Sequence, residues 1–196
     1  MSIALRRPLH RPPMGVAKFF AFEQSRPPEE KWELLFGQLF LTAGGTMRHS
    51  QICANLIAAL HLRLRGTNCI VYTSDASVSA EEIDTSVYPD VVVRCGDALG
   101  GERTMRDPTA IIEVASPSSE HRDAGAKLEA YTLIPSVQLY AIVRQDEWRV
   151  EVWRRASAEE WDKEVLKRAE SALALPTLGV AVPLAEIYDR VEGVEL

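Results

Sequence analysis

Thr109-Ala110-Ile111-Ile112-Glu113-Val114-Ala115 reads as a strand with apolar residues pointing to both faces and a single acid set among them. A continuous apolar run of this kind belongs to a strand covered on both sides. An ionised carboxylate in such a place costs several kcal/mol unless it is paired or binds a metal. Tyr88-Pro89-Asp90-Val91-Val92-Val93 repeats the pattern with Asp90. Along a strand the side chains alternate, so Ile111, Glu113 and Ala115 share one face, and Asp90 shares a face with Val92. If the two strands are neighbours, their carboxylates meet.

Working outward, β-branched and aromatic residues over 69–73, 76–79, 88–93 and 109–115 predict the central strands of a mixed sheet. A helix over about 121–133 separates the last of these from a strand at 137–143. The polar turn 144–147 then leads into 148–154, which predicts a hairpin. Residues 156–168 are charged and read as a loop with a strand, and 183–191 as a short closing helix. The fold class is therefore α/β (α+β), a mixed sheet flanked by helices with a C-terminal β-hairpin.

On the N-terminal side, Pro27-Pro28-Glu29-Glu30 predicts a helix start, with proline suiting the first turn and the acids its dipole. That helix would run through Trp32-Glu33-Leu34-Leu35 and stop near Gly37, before a strand at 38–42 and a turn at 43–46. A second helix is expected over 47–65. Its residues Ile52, Leu56, Ala59, Leu60 and Leu64 recur at three- and four-residue spacing, and Gly66 stands where a C-terminal cap belongs. With no internal repeat and no dividing linker, residues 27–196 are expected to form one domain after a partly flexible tail, 1–26.

The 196 residues are 46% apolar and 26% charged, a globular composition. No run approaches the 18 or so apolar residues of a membrane span, and the arginine-bearing start has no apolar stretch of a signal peptide, so a cytoplasmic location is expected. The three cysteines, Cys53, Cys69 and Cys95, are odd in number and widely spaced, and read as free thiols in or near the core. A net charge of −6 argues against binding nucleic acid over the whole surface, though not against a local basic groove. Arg6, Arg7, Arg11 and Lys18 precede the first acid, Glu23. They suit either a solvated tail or an arm that contacts phosphate.

Lys127 lies three residues after Ala124 and four before Tyr131, on the helical stripe that should face the sheet. An ammonium facing inward needs a partner, and Glu113 and Asp90 are the candidates. The alternative is an exposed pair with Asp123. Two strand-borne carboxylates suit Mg²⁺ or Mn²⁺, which would stabilise charge on a phosphate and acidify an attacking water. A lysine beside that water would position it or neutralise the phosphate.

The ordered segments Trp32-Glu33-Leu34-Leu35-Phe36-Gly37-Gln38-Leu39, Thr46-Met47-Arg48-His49-Ser50-Gln51-Ile52, Ser74-Asp75, Val87-Tyr88-Pro89-Asp90-Val91-Val92-Val93, Ile112-Glu113-Val114-Ala115-Ser116-Pro117-Ser118, Asp123 with Lys127-Leu128-Glu129-Ala130-Tyr131, and Ile134-Pro135-Ser136-Val137-Gln138-Leu139-Tyr140 resemble the Uma-type restriction endonuclease family of the PD-(D/E)XK nuclease superfamily. The likeness runs over residues 28–188. It implies a restriction-endonuclease-like fold and divalent-metal-dependent hydrolysis of DNA phosphodiesters. By the same likeness Asp90 and Glu113 ligate metal, with the Val114 backbone carbonyl as a further ligand. The superfamily lysine usually stands two residues after the second acid, where this chain has Ala115; the resemblance moves it to Lys127. Glu33 matches a helix-borne acid near the metal, and otherwise reads as a solvated glutamate.

Asp75 suits either the pocket lining or a local turn bond. His49 reads as a phosphate contact or a helix cap. Ser116-Pro117-Ser118-Ser119 lacks the elbow of a serine nucleophile and reads as capping. Arg94, Arg103, Arg106 and Arg122 fall near the ends of the site-bearing elements and suit a phosphate backbone or ordinary surface. Trp148 and Trp153 suit packing or self-association rather than base stacking, and the resemblance makes a homodimer plausible. Two other functions fit the residues: a non-cleaving protein that binds nucleic acid or a partner, and a hydrolase of a small phosphorylated molecule, for which no Gly-rich phosphate loop speaks.

Overall fold

The computed structural model describes residues 13–42, 44–116 and 122–194. Its centre is a six-stranded mixed sheet. In chain order these strands are β3 (Cys69–Thr73), β6 (Val91–Cys95), β8 (Ala110–Ala115), β9 (Leu139–Arg144), β10 (Val150–Arg155) and β11 (Trp161–Leu166), arranged β11-β10-β9-β8-β6-β3. Only β8 and β9 run parallel within it, because the helical segment between them carries the chain back over the sheet. All six residues of β8 and all six of β9 are buried, as their unbroken apolar character demands.

One face of this sheet packs on α2 (Met47–Arg63), on the hairpin β12 (Ala172–Leu175) and β13 (Val180–Pro183), and on α4 (Leu184–Ile187). The α2 stripe Ile52, Leu56, Ala59, Leu60 joins Ile112, Val114, Val91 and Val93 there. The opposite face carries Ile111, Ala115 and Val92 and meets α3 (Leu128–Leu133) and a second sheet. That sheet runs β2-β1-β5-β4-β7, with β1 Lys31–Leu35, β2 Gln38–Thr42, β4 Ser77–Ala80, β5 Thr85–Val87 and β7 Thr104–Met105. The hairpin predicted at 137–154 is β9–β10, and β12–β13 forms a further one at the C-terminal end.

Four local expectations are corrected. Residues 31–35, expected to be helical, form strand β1, because Phe36 (φ 48°) and Gly37 (φ 74°) make a two-residue turn that pairs Leu35 with Gln38. Positive φ at both central positions is the hairpin turn that matches the twist of its strands, and it overrides the helix-start signal of the prolines. The run 88–93 is not one strand. Pro89 has no N–H to give a ladder, and the chain leaves β5 in one sheet and enters β6 in the other across Tyr88-Pro89-Asp90. Nor are the strands at 69–73 and 77–80 central to one sheet: β3 is an edge strand and β4 belongs to the second sheet.

The fourth correction concerns the cysteines. Cys69 and Cys95 face each other across the β3–β6 ladder and are joined in a disulfide, which leaves Cys53 as the free thiol. Within the segment expected to be a tail, α1 (Val16–Gln24) buries Phe19 against Leu34 of β1. The basic residues Arg6, Arg7 and Arg11 lie outside the described residues. Trp148 stacks on Tyr188 and Trp153 on Tyr140, so both indoles pack within the chain. No described helix is long and apolar enough to cross a membrane.

Candidate active site

The β6–β8 ladder ends at the Val91–Ile112 pair, one residue short of Asp90. Beyond it the edge of β8 faces a side chain instead of a strand, and Val114 N–H donates to Asp90 Oδ2 at 2.8 Å. A residue's N–H and C=O point to the same side of a strand, so the Val114 carbonyl lies along this same edge. The Asp90 backbone N–H donates to Glu113 Oε2 at 3.3 Å. The acids of the two strands thus meet where the chain crosses between sheets.

Lys127 arrives from the helical side. Residues Asp123–Lys127 form a π-helical turn that continues into α3, and both its end residues, Asp123 and Lys127, are buried. This places Asp123 in the interior rather than in an exposed pair with Lys127, and Asp123 Oδ1 lies 4.0 Å from the ammonium. Lys127 Nζ donates to Glu113 Oε1 at 2.9 Å and lies 3.0 Å from Glu33 Oε1. Ala115, on the same face as Glu113 and fully buried, takes up little of the space that the ammonium enters. Tyr131, one turn beyond Lys127, donates its hydroxyl to the same Glu113 oxygen at 2.7 Å.

Glu33 reaches the cluster from strand β1, not from a helix. Its Oε1 accepts the Tyr88 N–H at 3.1 Å, while its Oε2 is buried with no hydrogen-bond partner. On the other flank Thr46 caps α2 through the N–H of His49, and the His49 Nε2 lies 3.2 Å from Asp90 Oδ2. Asp90 and His49 keep 18% and 21% of their side chains exposed, against 1% for Glu33 and 4% for Glu113, so they form the mouth of the cluster. A cavity of about 320 Å³, lined among others by His49, Cys53, Thr73, Ser74 and Asp90, opens there.

The electrostatics follow from three buried carboxyls around one cation. Burial pushes the Glu113 carboxyl up to about 8, and the charges of Asp90, Asp123 and Glu33 add to that against the pull of Lys127. Burial works to strip the Lys127 proton, but Glu113, Glu33 and Asp123 outweigh it and hold its pKa above the ordinary lysine value. For Asp90 burial is likewise opposed, here by His49, the Val114 N–H and Lys127, and the net direction is downward. The Asp90 hydrogen bond raises His49 above its ordinary 6.5. Burial pushes the Cys53 thiol up.

Asp90, Glu113, Lys127 and Glu33 are therefore brought together, and Asp75 is not. It is exposed in the β3–β4 turn and takes part in none of these contacts; its neighbour Ser74 lines the cavity instead. Arg94 is engaged by Asp107, and Arg106 by Glu81. Arg122 lies 5.9 Å from the centroid of the Phe40 ring. Ser118, Ser119 and His121 fall outside the described residues. Sequence reasoning gave no role to Tyr131 or Cys53, although each stands four residues from a site residue, Lys127 and His49, on the same helical face.

Comparison with known proteins gives concordant results. A family model named Uma2, described as "Putative restriction endonuclease", matches residues 16–185. An uncharacterised Synechocystis protein, slr1290, is 27% identical over 180 residues, covering 90% of this chain and 92% of its own. A second, sll1609, is 27% identical over 135 residues, or 67% and 76% of the two chains. The crystal structure of an Anabaena variabilis protein described as a "putative nuclease belonging to DUF820" superposes with a TM-score of 0.72. It covers 90% of this chain and 98% of its own at 17% identity, a likeness of fold.

Proposed function

The chain belongs to the Uma2 family, and from that premise we propose that it is a divalent-metal-dependent endonuclease hydrolysing phosphodiester bonds of DNA. The observation that carries the reading is the meeting of Asp90 and Glu113 at the sheet crossing with Lys127 against Glu113. The donor set fits a hard cation: carboxylate oxygens of Asp90, just ahead of β6, and of Glu113 on β8, with a backbone carbonyl on the same edge. Asp90, Glu113 and the Val114 carbonyl would hold Mg²⁺ or Mn²⁺. Such an ion, when bound, stabilises charge on the phosphoryl oxygens and makes water a better nucleophile at neutral pH.

The chain's own groups do the positioning. Lys127, fixed between Glu113 and Glu33, orients the attacking water and offsets charge on the phosphate. Glu33 holds the ammonium from the second sheet, and Tyr131 fixes the Glu113 carboxylate. His49 fixes Asp90 at the mouth, where a phosphodiester has access. Two copies of the chain would offer two such clusters, one for each strand of a duplex, and sedimentation on duplex DNA tests for that pairing.

Incubation of supercoiled plasmid with the protein and Mg²⁺ or Mn²⁺ tests the activity itself. Nicked or linear product is expected from the native chain, with a loss of at least about a hundredfold in Asp90→Asn and in Lys127→Met, since each removes a group acting on the transition state. Cleavage that persists in either variant would remove the assignment. A protein that binds metal but cuts nothing would point to the non-cleaving alternative.

A further inference from the structure

His49 and Cys53 stand four residues apart on α2, and with Asp90 they line one wall of the cavity at the mouth. One ligand atom from each, an imidazole nitrogen, a thiol sulfur and a carboxylate oxygen, lies within 4.8 Å of the others. We infer that these three residues form a second cation site, selective for a borderline ion such as Zn²⁺ and distinct in chemistry from the hard-cation site on Asp90 and Glu113.

The geometry supports this directly. Cys53 Sγ lies 3.7 Å from His49 Nδ1. Zn–S and Zn–N bonds of ordinary length at a tetrahedral angle require a sulfur–nitrogen edge of about 3.6 Å. The helix therefore holds two ligands at the right separation before any ion arrives. Asp90 Oδ2 now meets the opposite ring nitrogen, Nε2, at 3.2 Å, so Asp90 completes the three-residue set by turning from that contact toward the sulfur side, and the cavity leaves a fourth position for water. Three protein ligands and one open position are the pattern of accessible zinc sites. Ligation releases the Cys53 thiol proton to solvent, and the thiolate binds the ion.

Selectivity follows from the donors. A thiol and an imidazole prefer Zn²⁺ or Co²⁺ over Mg²⁺, whereas Glu113 and the Val114 carbonyl offer only oxygen. Asp90 belongs to both sets, so the two ions compete for it. That competition rests on the nuclease reading; the zinc site itself does not. The expected consequence is a chain that Mg²⁺ loads for cleavage and Zn²⁺ silences by drawing Asp90 away from Glu113.

The test uses the full-length protein with Cys69 and Cys95 kept oxidised. Co²⁺ added as a zinc probe should produce the near-ultraviolet thiolate-to-cobalt charge-transfer band, and Zn²⁺ should abolish it. In Cys53→Ser that band should vanish and Zn²⁺ affinity by calorimetry should fall by more than about tenfold, because a ligand is lost. Mg²⁺ binding in the same variant should be unchanged. Absence of the band in the native chain, or equal Zn²⁺ affinity in Cys53→Ser, overturns the site. If plasmid cleavage is seen, Zn²⁺ should inhibit the native chain more than Cys53→Ser, and equal inhibition would overturn the competition alone. If no cleavage is seen, the cobalt band still decides the site.

Discussion

Replacing Lys127 with methionine keeps most of the length of the side chain and removes its charge. The ammonium is 5% exposed and lies at 2.9 Å from Glu113, 3.0 Å from Glu33 and 4.0 Å from Asp123. Its loss takes the shared cation from beside buried Glu113 and Glu33, and breaking a buried pair by deleting one partner costs about 3–5 kcal/mol. Protonation of Glu113, already pushed up to about 8, relieves part of that, so a loss of about 3 kcal/mol at neutral pH is expected. In a chain of this size that lowers the melting temperature by roughly 6–12 °C. The sign with pH is fixed. Lys127 is the one group that draws the Glu113 carboxyl down, so in the variant its folded pKa stays above the unfolded value near 4.5, and the stability it contributes is fully present below that value and is lost as pH rises through the raised one. The gap between native and variant protein should therefore widen as pH rises through the native Glu113 value of about 8, above which only the native chain holds that carboxylate against an ammonium. Urea unfolding followed by circular dichroism across that range measures it, and Lys127→Met with Glu113→Gln should recover part of the loss, because replacing both members of a buried pair is far less costly than removing one. A loss below about 1 kcal/mol, the size of a surface pair, or a gap that does not change with pH would refute the buried three-acid account.

Further outcomes are expected. The His49 imidazole should titrate above 6.5 by nuclear magnetic resonance and return toward that value in Asp90→Asn. Because His49 is raised and Asp90 lowered, the pair's contribution to stability is lost as pH rises through the folded His49 value and also as pH falls through the folded Asp90 value, leaving it largest between about 4 and 6.5. Thiol titration of the unfolded, unreduced protein should find one reactive cysteine, Cys53. Reducing the Cys69–Cys95 bond, which spans 26 residues, should cost about 3 kcal/mol by loop entropy. Three reactive thiols in protein taken from a reducing cytoplasm would show that the bond does not form there.

Periodicity made some of the molecule legible and left other parts hidden. Alternation along 111–115 put Glu113 on the face that meets α3, and the spacing of Lys127 from Tyr131 put its ammonium on the inward stripe. Both are consequences of helix and strand geometry, which a sequence carries locally. The strand at Glu33 was hidden because its deciding feature is a positive φ at Phe36, a residue with no preference for it, while the preceding prolines and acids imitate a helix start. The disulfide was hidden because it depends on the register of two strands distant in sequence. The break at Pro89 was written in the chain, since proline withholds the ladder's donor, but the apolar run beyond it masked the signal. The π-helical turn at 123–127 has only Gly125 as a weak mark.

Glu33 and Glu113 stand on different sheets, yet one ammonium binds both. Apolar contacts between layers tolerate a slip of an ångström or so with modest loss, whereas charge-assisted hydrogen bonds of about 2.7–2.9 Å do not. Lys127 is in that sense an alignment pin. A substitution deep between the layers, far from any phosphate, would register at the site as a misplaced lysine before it registered as unfolding.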